Sequence, residues 1–167
     1  MSVEFRDYSI NVNEALNDAA ISYLYEAAGE IEAQVKSNTR TGTGQLKNSW
    51  TYIVDEDEMI ATVGSPLQNA LWEEFGTGEF ALHGDGRKGY WVYVKDSSSG
   101  TTSKSQRQYT LEEAKQTVAY LQSQGLDASY TKGKKPHRAL QRAFTSLQST
   151  LINMAKEKLK EGLNNDR

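Results

Sequence analysis

The chain has no cysteine, only two histidines and two prolines, and no long apolar run. Three of these scarcities close a class of explanation. Without cysteine there is no disulfide framework, no thiolate zinc site and no cysteine nucleophile, and a reducing compartment is suited. Two histidines leave little material for a metal centre. No apolar stretch approaches the roughly 20 residues that a membrane span needs. The opening residues Met1-Ser2-Val3-Glu4-Phe5-Arg6-Asp7 have neither a basic start nor a following apolar segment, so they do not read as a signal peptide. A soluble protein made in a cytoplasm is expected. What is present is ordinary for a globular chain: 167 residues, 37% hydrophobic and 25% charged. One domain over residues 1–167 is expected, burying roughly 70% of its unfolded surface.

The net charge of −3 conceals a gradient. Residues 1–60 carry 4 Lys/Arg and 11 Asp/Glu, a net −7; residues 61–131 carry 6 and 8, a net −2; residues 132–167 carry 9 and 3, a net +6. Lys132, Lys134, Lys135, Arg138 and Arg142 form a basic stretch with no acid among them. Such a stretch can attract a phosphate backbone. In a chain that is acidic overall it reads more plainly as a solvated helix start, or as a surface that pairs with an acidic patch on a neighbouring copy.

Hydrophobic spacing gives the elements. Leu16, Ala20, Leu24, Ala27, Ile31 and Val35 recur at three or four residues, which predicts an amphipathic helix over 13–37, with Asn11 or Asn13 as its cap. At 1.5 Å per residue it would reach about 37 Å. The polar segment Asn38–Gly44 ends it and is expected to be mobile. Trp50, Tyr52, Val54 and then Met59, Ala61, Val63 alternate with their neighbours, a hairpin with the acidic tip Asp55-Glu56-Asp57-Glu58. Ser65-Pro66 is read as opening a short helix through Phe75, Tyr90–Val94 as a strand, and 96–106 as a flexible loop by composition. Thr110 with Glu113 makes a capping box for a helix with the apolar face Leu111, Ala114, Val118 and Leu121, ended by Gly125. Ala128–Thr131 reads as a short strand. Leu140, Phe144, Leu147, Leu151, Ala155 and Leu159 predict a last long helix from Pro136 to about Leu163. The fold class is therefore α+β: a small, mostly antiparallel sheet packed with a long N-terminal and a long C-terminal helix.

Few residues carry chemistry. His83 and Asp85 are two apart in a glycine loop and would need a further carboxylate, Glu79, to hold a metal; polar filling of a loop is the plainer reading. Gly76-Thr77-Gly78 and Gly84-Asp85-Gly86 match neither a Walker loop nor a dinucleotide fingerprint, and read as turns. Glu73 and Glu74 are adjacent on a helix and point about 100° apart, so they are no acid/base pair by themselves. Trp72 and Phe75 lie three apart on one helix face. Core packing is the plainer reading of them, and an aromatic anchor at a subunit contact the sharper one. No catalytic, cofactor-binding or metal-binding residue is assigned.

Three segments in order resemble the small neck or tail-completion proteins of long-tailed bacteriophages, a family of minor capsid and tail components. They are Thr43-Gly44-Gln45-Leu46-Lys47-Asn48-Ser49 after a long helix, Leu71-Trp72-Glu73-Glu74-Phe75-Gly76-Thr77-Gly78 after a hairpin, and Lys135-Pro136-His137-Arg138-Ala139-Leu140-Gln141-Arg142-Ala143-Phe144 opening the final helix. The resemblance implies an α+β virion protein at the head–tail junction, where copies form a ring around the DNA channel. It implies no enzyme activity, no cofactor and no small-molecule substrate. Its partners would be copies of itself and other junction proteins, with passive contact to DNA and none to a membrane. Candidate contact residues are Trp72, Phe75, Gly76, Thr77, Lys134, Lys135, Arg138 and Arg142. The segment 96–131 reads as an insertion relative to a compact member. Pro136-His137-Arg138 stands where many relatives have a bulkier aromatic. A DNA-binding regulator using residues 132–142 is the alternative, and a metal-dependent hydrolase using His83 and Asp85 a more distant one.

Overall fold

A computed structural model describes residues 9–40, 42, 44–96, 100–102 and 107–164. The chain packs as two units, one made of Met1–Leu67 with Ala139–Arg167 and the other of Gln68–Arg138.

The first unit is built on α1 (Ser9–Asn38), 30 residues and about 45 Å long. It starts before both asparagines expected to cap it, so Asn11 and Asn13 lie inside the helix. The stripe from Leu16 to Val35 is buried or half-buried throughout. It packs against α5 (Ala139–Asn164), the last long helix, and against a hairpin of β1 (Thr51–Asp55) and β2 (Ile60–Gly64). The hairpin runs in the register Thr51↔Gly64 to Asp55↔Ile60 around the four-residue acidic turn, with Tyr52, Val54, Ala61 and Val63 half-buried. Small side chains dominate this core, with Ala27, Ala28, Ala139 and Ala143 all buried, because closely packed helices leave no room for more. At Gly162 a Cβ would lie 2.9 Å from Ala19 Cβ and 3.0 Å from the Ala15 carbonyl, so α1 and α5 approach backbone to side chain there.

The start of α5 and two positions of its stripe differ from expectation, while Leu151 is buried and Leu140, Leu147 and Ala155 are half-buried as expected. The helix begins at Ala139 and not at Pro136, and its buried face is Ala139, Ala143 and Leu151. Phe144 and Leu159, read as inward, are exposed. Alanines share the inward stripe with leucines, and a reading weighted towards large apolar residues adds Phe144 and Leu159 to it.

Between α1 and the hairpin lies a helical turn, α2 (Gln45–Ser49), that periodicity did not reveal. Within the expected mobile segment, Thr41 and Thr43 fall outside the described residues, whereas Thr39 is buried. The Thr39 hydroxyl donates to the Val35 carbonyl (2.7 Å) and accepts from the Trp50 indole N–H (2.9 Å). This pairing satisfies the polar edge of a tryptophan that is almost wholly buried.

The second unit holds a three-stranded antiparallel sheet in the order β4 (Gly100–Thr102), β3 (Trp91–Asp96), β5 (Ala128–Thr131). Among the described residues the strands therefore form two small sheets, one in each unit. The helix α4 (Leu111–Ser123) closes over the second sheet, with Ala114, Val118, Val92 and Ala128 as its core. Its capping box is complete: Thr110 Oγ1 accepts from the Glu113 N–H and Glu113 Oε2 accepts from the Thr110 N–H. Gly125, at φ +80°, follows its end. Of the loop expected at 96–106, residues 97–99 and 103–106 lie outside the described residues, while 100–102 pair with β3 as a strand. The short helix α3 (Gln68–Phe75) starts two residues after Pro66; Ser65 Oγ instead accepts from the Leu67 N–H before it.

Candidate functional site

The helix α3 is inverted relative to an ordinary amphipathic helix. Leu71, Trp72 and Phe75 are 58%, 45% and 40% exposed, whereas Glu74 is buried and Glu73 mostly so. Core packing is thus not the role of Trp72 and Phe75. An apolar trio at i, i+1 and i+4 faces out, and carboxylates face in.

Glycines and backbone hydrogen bonds fix this orientation. The segment 76–80 pairs with residues 132–134: Thr77 N–H donates to the Lys134 carbonyl (2.9 Å), Glu79 N–H to the Lys132 carbonyl (2.9 Å), and Lys134 N–H to Thr77 Oγ1 (3.0 Å). Gly76, Gly78 and Gly133 all have positive φ, and a Cβ on Gly76 would lie 2.7 Å from the Phe80 carbonyl. A Cβ on Gly133 would overlap the Thr77 carbonyl, and one on Gly86 the Gly78 carbonyl. Three stretches of backbone cross where no side chain fits. The glycines serve close approach as well as turns. The amides of Gly76, Thr77 and Glu79 are spent on carbonyls, not held open in a phosphate cradle.

Glu73 ties the helix to the segment preceding α5. Its carbonyl accepts from the His137 N–H (2.6 Å) and the Arg138 N–H (3.2 Å), and its carboxylate pairs with Lys134 Nζ. Among the described residues its Oε2 is buried without a hydrogen-bond partner. By its sequence Glu73 is only half of an adjacent acid pair. The one available signal was an acid wedged between aromatics on a helix whose apolar side had no stated target.

The basic stretch is partly neutralised and is divided. Lys132 pairs with Glu79 (3.3 Å) and Lys134 with Glu73. Lys135 Nζ lies 5.7 Å from the Phe80 ring centre. Arg138 sits in the second unit with φ +55°. Arg142 belongs to the first unit, on α5, with Nη2 3.5 Å from the Asn38 carbonyl. Of the eight candidate contact residues, the second unit holds Trp72, Phe75, Gly76, Thr77, Lys134, Lys135 and Arg138. His83 lies against Phe75 with ring centres 5.4 Å apart and planes tilted by 40°. Among the described residues no three of His, Asp or Glu are placed to hold a metal ion, and no helix is long and apolar enough to cross a membrane.

A family model described as "Bacteriophage HK97-gp10, putative tail-component" matches residues 4–96, more than half of the chain. The match takes in the first two of the three segments and ends at Asp96, the last residue of β3. No curated protein and no solved structure matches the chain.

Proposed function

This chain belongs to the bacteriophage HK97-gp10 tail-component family, and we propose that it is a structural protein of the head–tail junction, where copies form a ring joining capsid to tail around the DNA channel. A tail component is a part of the virion, and its partners are other structural proteins of the particle. The observation that carries the reading is the family match over 4–96. The outward aromatic face of α3 supports it. Trp72 and Phe75 act as contact anchors on a neighbouring protein, since exposed aromatics rimmed by polar groups are the usual centre of an interface. Gly76, Thr77 and Lys134 hold that face out, Lys135 and Arg138 supply charge in the same unit, and Arg142 is a separate contact residue on the first unit. The role is mechanical and not enzymatic, and calls for no cofactor. Contact with DNA in the channel is passive.

The segment 96–131 is an insertion within this scheme. Support comes from the family match ending at residue 96 and from Ala114, Val118 and Ala128, which give this segment most of the second unit's core. Deleting the gene from its phage is the test. Negative-stain images should then show separate heads and tails, and complementation with Trp72→Ala should restore fewer joined particles than the unaltered chain. Normal infectious particles without the protein would overturn the proposal.

A further inference from the structure

We propose that two exposed patches on the first unit are the two halves of one contact between copies of this chain. One half is the outward face of the β1–β2 hairpin with its acidic turn; the other is the outer face of the C-terminal half of α5. The contact rests on the ring reading above and names the surfaces that would form the ring.

The hairpin turns one face to α1 and the other to solvent. On the outward face Ile53 is 71% and Ile60 54% exposed. The register sets them on a diagonal, Ile53 opposite Thr62 and Ile60 opposite Asp55. In the adjoining turn, Glu56 accepts from the Tyr25 hydroxyl (2.8 Å) and Asp55 from the Glu58 N–H (3.0 Å). Among the described residues, the carboxylates of Asp57 and Glu58 have no cationic partner. This patch is apolar with a negative rim.

The α5 patch has the opposite sign. Ile152, Leu159 and Leu163 are 49%, 41% and 50% exposed. Lys156 and Lys160 continue the i, i+4 row that begins at Ile152, and each lies three residues before Leu159 or Leu163, so they border the apolar stripe. Lys158, on the inward side, pairs with Glu26 of α1 (2.9 Å). Among the described residues, Lys156 and Lys160 have no acidic partner.

Both patches belong to one packed body, because α1 packs against α5 and against both strands of the hairpin. Pairing either patch with its own copy would set like charges together across apolar surface, which is costly. Pairing the two different patches matches apolar centre to apolar centre and opposite charge at the rim. That contact is heterologous, so it repeats head to tail and closes into a ring when the rotation fits.

The cysteine-free sequence makes a clean test, because every disulfide in it would be engineered. Full-length Ile60→Cys and Leu159→Cys variants are mixed and oxidised, as concentrated purified protein and in particles complemented with both. A disulfide joining the two different variants, absent when either is oxidised alone, is expected. Lys156→Glu with Lys160→Glu on the Leu159→Cys chain should lower its yield about tenfold. Asp57→Lys with Glu58→Lys on the Ile60→Cys chain should restore it. A disulfide formed within a single variant, or none in either preparation, overturns the contact. Particles that carry the protein without the disulfide overturn the contact and leave the tail role standing. A disulfide in purified protein that never enters particles keeps the contact and removes the tail role.

Discussion

At Gly133, a positive φ and the lack of room for a Cβ coincide, and the two effects can be separated by comparison with Gly125. Both have positive φ, but nothing lies within 4 Å of a Cβ at Gly125, whereas at Gly133 it would overlap the Thr77 carbonyl. Gly125→Ala should therefore cost about 1 kcal/mol, the left-handed backbone penalty alone. Gly133→Ala should cost about 3 kcal/mol or more, because overpacking adds to it. Urea unfolding of the two variants measures the difference, and equal costs would mean the crossing backbones can part. The sequence showed a glycine-rich stretch and favoured turns. It could not show that residues 76–78 and 132–134 meet, since more than fifty positions separate them. Glu73 was hidden for the same reason: Lys134, the cation that lets it turn inward, is on the far segment.

For the elements, the exposure of Phe144 on α5 is a disagreement between pattern and packing that can be tested. Leu151 is buried and Phe144 is 54% exposed. Leu151→Ala should cost about 2–4 kcal/mol and Phe144→Ala under about 0.5 kcal/mol in the isolated chain. The capping box of α4, by contrast, was fully legible, because Thr110 and Glu113 are three residues apart and need no distant partner. Thr110→Ala should cost about 1 kcal/mol. Hydrogen bonds from the Thr110 N–H and hydroxyl hold the Glu113 carboxyl below its ordinary pKa, with Arg107 adding to the effect. That contribution is present above the ordinary carboxylate range and lost as pH falls through the lowered value, so acid should lower the amide protection factors, relative to intrinsic exchange, in the first turn of α4. The ties of α1 have the opposite sign. Donating to Glu56 raises the Tyr25 pKa, and donating to Glu26 raises that of Lys158. Both contributions are present below about pH 10 and are lost as pH rises through the raised values. The hairpin and α5 should loosen from α1 in alkali, as seen in lower protection factors of the β1 amides relative to intrinsic exchange. Tyr25→Phe should remove the hairpin's share of that pH dependence.

At the scale of the whole molecule, folding divides the basic C-terminal charge between the two units and pairs part of it. The +6 of residues 132–167 suggested a basic surface that could hold a nucleic acid, yet Lys132, Lys134 and Lys158 are each paired with an acid of their own unit. Duplex DNA should therefore bind weakly, and a gel shift should vanish at moderate salt; tight binding with a steep salt dependence would revive the regulator reading. By itself the sequence determined the α+β class, the two long helices, the hairpin with its acidic turn and the capped helix α4, because each rests on residues close along the chain. It also carried the family pattern, in motifs local enough to quote. Only the tertiary structure decided which side of α3 is inside and which positions of α5 face out. That choice depends on what lies opposite, and it turned Trp72, Phe75 and Phe144 outward and Glu73 and Glu74 inward. The division into two units and two sheets was likewise set by pairings between distant segments, which local spacing does not encode.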